Sequence, residues 1–150
     1  MSIMKNKLPK WLMAALGFAS YTACSPVCMY GCPTVEMSVA ARVQNEAGAP
    51  IGDIKVSLVK NQPEFERADT VAIGLTDAAG YCYLRHSTTG FGEPVTLTIG
   101  FDDIDGEARG GKHESTHIVH TFKDFQGSDG EWYFGLSSTF PEVTMKKVEE

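Results

Sequence analysis

Four closely spaced acidic side chains surround a glycine in the second half of the chain and could bind a cation: Asp102, Asp103, Asp105 and Glu107. Calcium takes about six to eight oxygen ligands, and carboxylates on a turn permitted by Gly106 could supply several of them. The spacing differs from that of an EF-hand loop, which also requires a bidentate glutamate at its last position. The alternative is an acidic, solvated loop whose aspartates cap their own backbone turn. The sequence leaves both interpretations open.

Three histidines, His113, His117 and His120, suggest zinc at first sight. On a strand, however, residues four apart share a face but stand about 13 Å from each other, and His120 points to the opposite face. Zinc ligands must all lie within about 2.1 Å of one ion. We therefore interpret these histidines as polar strand residues.

The N-terminal segment has the layout of a signal peptide. Residues 1–10 contain three lysines and no acid, and residues 11–23 (WLMAALGFASYTA) contain no charge. This apolar run is shorter than the roughly 20 residues of a membrane-spanning helix. The order basic stretch, apolar stretch, small Ala23 and then Cys24 resembles the processing signal of bacterial lipoproteins, although Tyr21 stands where leucine is usual. We expect cleavage after residue 23 and a lipid on the Cys24 thiol, with an ordinary secretory signal as the alternative.

Three more cysteines follow Cys24, and an odd number in an oxidising compartment leaves at least one thiol unpaired. Cys28 and Cys32 lie in residues 24–35, a charge-free segment broken by prolines that we interpret as a tether. There they could form a small disulfide or be chemically modified. Cys82 occupies an inward position of a predicted strand, where a buried cysteine behaves as a small hydrophobic residue.

Two neighbouring aromatic residues, Trp132 and Tyr133, could form a recognition surface, because aromatic side chains dominate binding hot spots. Trp132 also alternates with Phe134 and Leu136 as the buried face of a strand would. Both interpretations stay open.

The composition and motifs exclude several classes of protein. The net charge is −6, and no cluster of lysine and arginine occurs, which argues against nucleic-acid binding. The sequence contains no G-x-S-x-G elbow, no H-E-x-x-H pair and no phosphate-binding loop. We predict that the protein is not an enzyme.

The elements that position these residues are predicted to be strands, because hydrophobic residues recur with a period of two. Seven strands are expected near residues 36–44, 54–58, 71–75, 81–85, 95–101, 116–122 and 143–148. In the third strand we expect Val71, Ile73 and Leu75 to face inward. Residues 102–114 and 123–142 are expected to be long loops. The fold class is therefore all-β: a seven-stranded antiparallel sandwich over residues 36–150, after an N-terminal signal helix in residues 1–23 and the tether.

Two segments carry a family resemblance. Residues 45–56 (NEAGAPIGDIKV) with residues 76–81 (TDAAGY) resemble the carboxypeptidase-regulatory-like modules of the transthyretin-like sandwich class. That resemblance implies a fold more than a function. Hydroxyisourate hydrolases, an enzymatic branch of a similar fold, end in a Tyr-Arg-Gly-Ser signature, whereas this chain ends MKKVEE.

A broader resemblance covers nearly the whole chain and rests on short motifs: LGF before Cys24, MYGCP at 29–33, FDDIDG at 101–106, the glycine pair at 110–111 and WY at 132–133. Together with the module above, they resemble the radical-SAM-associated lipoproteins of Bacteroidetes. This resemblance implies a small lipoprotein encoded beside a radical-SAM enzyme, as its partner or its maturation substrate.

These observations predict a non-enzymatic cell-envelope lipoprotein whose sandwich binds or presents something within a radical-SAM-linked system. One alternative is a substrate modified at the tether cysteines, and another is a calcium-dependent recognition or adhesion module. The expected partners are the membrane, through the lipid, and a radical-SAM enzyme or an envelope protein. We expect an outer-membrane lipoprotein facing the periplasm, because residues 25–28 carry no acidic surface-export signal; exposure at the cell surface is the alternative.

Overall fold

The computed structural model describes residues 31–62, 67–108, 111–128 and 132–149. The expected signal peptide, the lipid site Cys24 and the first tether cysteine, Cys28, lie outside these residues. Cys32–Glu150 form one compact unit. In the described part of the chain, no helix is long and apolar enough to span a membrane.

The described residues form eight strands. In chain order they are β1 (Thr34–Asn45), β2 (Ile54–Gln62), β3 (Arg67–Leu75), β4 (Tyr81–Thr89), β5 (Val95–Asp103), β6 (Thr116–Phe122), β7 (Tyr133–Thr139) and β8 (Glu142–Met145). They make two four-stranded sheets. In the first sheet β1 lies between β4 and β7, and β8 also pairs with β1. The second sheet has the order β3-β2-β5-β6.

The prediction of an all-β fold with two packed sheets is confirmed, but the strand count and the antiparallel pairing need correction. β1 pairs antiparallel with β4 and parallel with both β7 and β8. The extra strand, β7, lies within residues 123–142, which were expected to be a loop. Its inward positions are filled by buried Gly135 and Ser137, so hydrophobic alternation does not mark it as a strand.

The core lies between the sheets and is built from the inward residues of the central strands. Each fully buried aliphatic or aromatic side chain contributes about 1.5–3 kcal/mol relative to exposure. The buried positions of β1, β2 and β5 include Val35, Met37, Val39, Ala41, Val43, Ile54, Val56, Leu58, Leu97, Ile99 and Phe101. The alternation predicted for these strands therefore matches the structure.

The inward face predicted for the third strand is right for Val71, which packs against the core, and wrong for Ile73 and Leu75. Ile73 is 62% exposed and Leu75 is 50% exposed. A bulge shifts the register of β3 against β2 between Leu58 and Val59, which reverses the side-chain alternation. Gly74 faces inward instead, where a Cβ atom would lie 2.9 Å from the Sγ atom of Cys82.

Two Asx turns, closed by the side chains of Asn45 and Asp77, connect strands of the first half. The Oδ1 atom of Asn45 accepts hydrogen bonds from the backbone of Ala47 and Ala49, at 3.0 and 2.9 Å. Asp77 closes the next turn in the same way. Gly80 in that turn has a φ of 77°, and a Cβ atom there would clash with the Val43 carbonyl oxygen. Glycine is therefore required at this position.

Candidate functional site

The outer face of the first sheet presents an exposed aromatic and charged surface, which we call the tyrosine face. It consists of Tyr81, Tyr83 and Arg85 of β4, Glu36 of β1 and Tyr133 of β7. Tyr81 is 51% exposed and Tyr83 is 62% exposed. In β4 these residues alternate with the buried side chains of Cys82 and Leu84, so the pleat of the strand turns the aromatic rings outward.

Small residues of β1 lie beside the exposed side chains of β4. Ala40 is the register partner of Tyr83, and Ser38 is the register partner of Arg85. The Oγ atoms of Ser38 and Ser138 lie 2.7 Å apart in a hydrogen bond that links β1 to β7. The side chains of β1 at these positions are therefore smaller than the tyrosine rings beside them on β4.

A hydrogen-bonded network fixes one end of the tyrosine face. Arg85 forms an ion pair with the Oε2 atom of Glu36, and the hydroxyl of Tyr133 donates to the same oxygen at 3.0 Å. The hydrogen bond from Arg85 lowers the pKa of Glu36, against the opposing effect of burial. Burial, followed by the hydrogen bond to Glu36, raises the pKa of Tyr133. Glu36 is therefore ionised at neutral pH, and the three side chains hold each other in place.

A second charged group lies at the other end of the face. The guanidinium of Arg42 lies 5.7 Å from the centre of the Tyr81 ring, and its Nη1 atom is 3.0 Å from the Oε1 atom of Glu142. A cation over an aromatic ring is attracted by about 0.5–1 kcal/mol at exposed sites. The tyrosine face thus carries both positive and negative groups at fixed positions.

A pocket of about 570 Å³ opens beside Ser138 at the β7 side of this face. Its lining residues are Lys123, Asp124, Gln126, Gly127, Leu136, Ser137 and Ser138. The segment 123–128 is held against β7 by two backbone hydrogen bonds between Gln126 and Leu136, of 3.0 and 2.8 Å. Asp124 has a φ of 54°, an uncommon value for a residue with a side chain. The pocket therefore lies between β7 and a loop of defined conformation.

The carboxylates considered as a calcium site point in different directions. Asp102 forms an ion pair with Lys55, with 3.2 Å between the Nζ and Oδ2 atoms. The next residue, Asp103, is buried, and its Oδ2 atom accepts hydrogen bonds from the backbone nitrogen and the Nδ1 atom of His113, at 2.9 and 3.0 Å. Adjacent residues of a strand face opposite sides of the sheet, so these two carboxylates cannot share one ion.

The other two carboxylates do not complete a cation site. The Oδ2 atom of Asp105 is buried and has no hydrogen-bond partner within the described ranges, while Glu107 is exposed. Burial and the neighbouring Asp103 raise the pKa of Asp105. The pKa of Asp103 is lowered, because hydrogen bonds from His113 and Asp105 outweigh the effect of burial. Among the residues that the structure describes, no three His, Cys, Asp or Glu side chains are arranged to hold a metal ion.

The histidines are separated as expected. His113 is bound to Asp103, and His117 is exposed on β6. His120 lies edge-on to Phe122, with 4.7 Å between the ring centres. His117 and His120 are strand residues, as interpreted from the sequence, whereas His113 is buried ahead of β6.

Of the tether and core cysteines, Cys82 is buried as predicted, and burial raises the pKa of its thiol. Cys32 is exposed. Cys28 lies outside the described residues, so a disulfide or a modification at Cys28 and Cys32 stays a prediction.

The two aromatic residues named from the sequence have separate roles. Trp132 is exposed, and its carbonyl oxygen accepts a hydrogen bond from the Thr34 nitrogen at 2.7 Å. Tyr133 belongs to the tyrosine face. The sequence did not identify Tyr81, Tyr83 and their charged neighbours as a surface, although the outward aromatic residues of the fourth predicted strand were a usable signal.

No protein-family model and no curated protein sequence matches the chain. Solved structures with some similarity include a 3-chlorocatechol 1,2-dioxygenase from Rhodococcus opacus 1CP, with a TM-score of 0.43 and 14% identity, covering 81% of this chain and 66% of the dioxygenase. Transthyretin from Sparus aurata has a TM-score of 0.42 and 16% identity, covering 77% of this chain and 91% of transthyretin. An (S)-allantoin synthase has a TM-score of 0.43 and 11% identity, covering 96% of this chain and 59% of the synthase. At these values the likenesses extend none of those proteins' activities to this chain.

Proposed function

We propose that this protein is a non-enzymatic recognition module of the cell envelope, held at a membrane by a lipid on Cys24, and that it binds a protein partner through the tyrosine face. In this proposal the sandwich belongs to the transthyretin-like class and serves a radical-SAM-linked system as a binding or presenting component. The observation that carries the recognition function is the exposure of Tyr81, Tyr83 and Arg85 on one face of one strand.

Support for a protein partner comes from the types of residue on this face. Tyrosine and arginine are enriched among the residues that dominate protein–protein binding energy, and lysine is depleted there. Rigid aromatic side chains also lose little conformational entropy on binding. The ion pair between Arg85 and Glu36 lowers this cost further, because it fixes the Arg85 side chain before a partner arrives.

The partner is sought with a photo-crosslinking amino acid placed at Tyr83 of the full chain, expressed in a bacterium that processes lipoproteins. The control is the same amino acid at Thr121, an exposed position of β6 in the second sheet. We expect a discrete adduct from position 83 and none from position 121. Arg85→Ala should reduce the yield of that adduct about tenfold, as for a hot-spot arginine. Equal adducts at both positions, or none at either, would reject the tyrosine face as the recognition site.

Anchoring and modification are tested by intact mass spectrometry of the protein purified from its native host. A lipid mass on an N-terminal Cys24, with no further change, supports the lipoprotein and removes the alternative of a radical-SAM substrate. An added or lost mass that maps to Cys28 or Cys32 supports that alternative instead. A mature N-terminus without lipid contradicts the anchoring proposal.

A further inference from the structure

A second pocket, of about 210 Å³, lies where the turn after β1 meets the segments that precede β6 and follow β8. It is lined by Asn45, Glu46, Ala47, His113 and Lys147. None of these residues belongs to the tyrosine face, so the function of this pocket is independent of the proposed partner site. Its size is below the roughly 300 Å³ at which pockets for drug-sized ligands begin. Any ligand must therefore be small.

The imidazole of His113, one of the residues that line this pocket, is held in place by Asp103. The His113 side chain is 5% exposed and the Asp103 side chain is 2% exposed. An ionised carboxylate only accepts hydrogen bonds, so Nδ1 of His113, 3.0 Å from Oδ2 of Asp103, donates to it. In the neutral ring this contact leaves the acceptor lone pair on Nε2.

The backbone of Lys147 is paired with that of this histidine. His113 and Lys147 form an isolated antiparallel bridge, flanked by hydrogen bonds from Val148 to Lys112 and from Glu114 to Lys146, each of 2.8 Å. The side chain of Lys147 crosses Gly111, where a Cβ atom would lie 2.5 Å from Cε and 2.9 Å from Nζ. The absence of a side chain at Gly111 therefore leaves room for the side chain of Lys147.

Glu46 supplies a negative charge on the turn after β1. The two hydrogen bonds that Asn45 accepts from Ala47 and Ala49 fix the conformation of this turn. No ion pair within 4.0 Å joins Glu46 to Lys147, both of which the structure describes. The pocket thus offers one positive donor and two acceptors that do not neutralise each other.

We propose that this pocket binds a small zwitterion of the size of a free amino acid. The ammonium of the ligand donates to the Glu46 carboxylate and to Nε2 of His113, and its carboxylate accepts from Lys147. A ligand with only one charge leaves at least one of these three groups without a partner. The proposal needs no covalent step and no cofactor.

The test is an NMR titration of the isotopically labelled full chain in detergent with each common L-amino acid at millimolar concentration. Propionate and ethylammonium, which each carry one of the two charges, are the matched control ligands. We expect at least one amino acid to give saturable chemical-shift changes at His113 and Lys147. Its affinity should exceed that of either control about tenfold or more, because one additional hydrogen bond to a charged group raises the affinity by at least about that factor. Lys147→Met should abolish the shifts, whereas Lys146→Met, at the neighbouring lysine outside the pocket, should leave them unchanged.

Other outcomes overturn the proposal. Propionate binding as tightly as every amino acid would make the pocket an anion site. Shifts of His113 with Zn²⁺ and with no amino acid would make it a metal site. No shift with any of these probes would mean that the pocket binds no small zwitterion. A Lys146→Met variant that loses binding together with Lys147→Met would attribute the effect to surface charge.

Discussion

Two charged regions of this molecule contrast with each other: the carboxylates at the end of β5 and the network on the tyrosine face. Asp102 and Asp103 are neighbours in the chain, yet one pairs with Lys55 on the outside and the other is buried against His113. Glu36, Arg85 and Tyr133 come from three different strands and share one oxygen atom.

The difference lies in how a sheet places side chains. Neighbouring residues of one strand face opposite sides of the sheet, whereas pairing between strands places residues that are distant in sequence side by side. Each of the two carboxylates at the end of β5 has a partner within the fold, Lys55 for Asp102 and His113 for Asp103. The tyrosine face keeps Tyr81 and Tyr83 open to solvent beside its ion pair. The first arrangement serves stability, whereas the second leaves aromatic side chains exposed for the partner that we propose.

The largest effect is expected at Gly135 of β7, the strand that contributes Tyr133 to the tyrosine face. Gly135 has a φ of 105°, and a Cβ atom there would lie 2.6 Å from the backbone oxygen of Gln126. Backbone strain together with this clash should make Gly135→Ala cost about 4 kcal/mol in the free energy of unfolding. The control is Gly106→Ala, where φ is 68° and no atom lies within 4 Å of the added Cβ; strain alone should cost about 1 kcal/mol. Urea denaturation measures both, and equal costs would contradict the close approach at Gly135.

A slightly smaller effect separates the two neighbouring carboxylates of β5. Asp103→Ala removes the partner of buried His113 and should cost about 3 kcal/mol. Asp102→Ala breaks an ion pair that is partly exposed on both sides and should cost less than about 1 kcal/mol. Denaturation at neutral pH compares the two variants. If Asp102→Ala were as costly as Asp103→Ala, the assignment of one carboxylate to each side of the sheet would be wrong.

A small effect with a defined pH dependence concerns Glu36. Its pKa in the folded protein is lowered by Arg85 from the ordinary value of 4.5. The ionised carboxylate therefore stabilises the fold above that value, and this contribution is lost as the pH falls through the lowered pKa. The stability difference between the wild type and Glu36→Gln should be larger at pH 7 than at about pH 3. A difference that is constant across this range would show that the ion pair does not contribute.

No effect is expected from calcium. Because Asp102 and Asp103 already have partners on opposite sides of β5, addition of calcium or of a chelator should leave the melting temperature unchanged. Differential scanning calorimetry in the two conditions measures this. A rise with calcium that Asp105→Asn abolishes would restore the calcium-dependent recognition module as the better hypothesis.

A strand can be predicted from this sequence where its inward residues are hydrophobic, and not where they are small or polar. Strands β1, β2 and β5 are recognisable because their inward residues are aliphatic or aromatic and fully buried. β7 is not, since its inward Gly135 and Ser137 carry no hydrophobic signal. The outward position of Ile73 depends on a bulge that no residue pattern announces.

The candidate site was harder to predict than the fold. Tyr133 was a candidate recognition residue on the basis of its type alone. Its contact with Glu36, 97 positions away, depends on the parallel pairing of β1 with β7. Arg85 reaches Glu36 through the antiparallel register of β1 and β4. A single sequence contains no information on these pairings, so the cluster becomes visible only in three dimensions.

The position of β1 has a mechanical consequence. This twelve-residue strand follows directly on the segment before Thr34 and is bonded to β4 on one side and to β7 and β8 on the other. A pull on that segment, along the strand, would load these hydrogen bonds in shear, because they run across the strand direction. They would have to rupture together rather than one at a time. A domain tethered through its N-terminus would therefore resist tension at the strand that receives the force first.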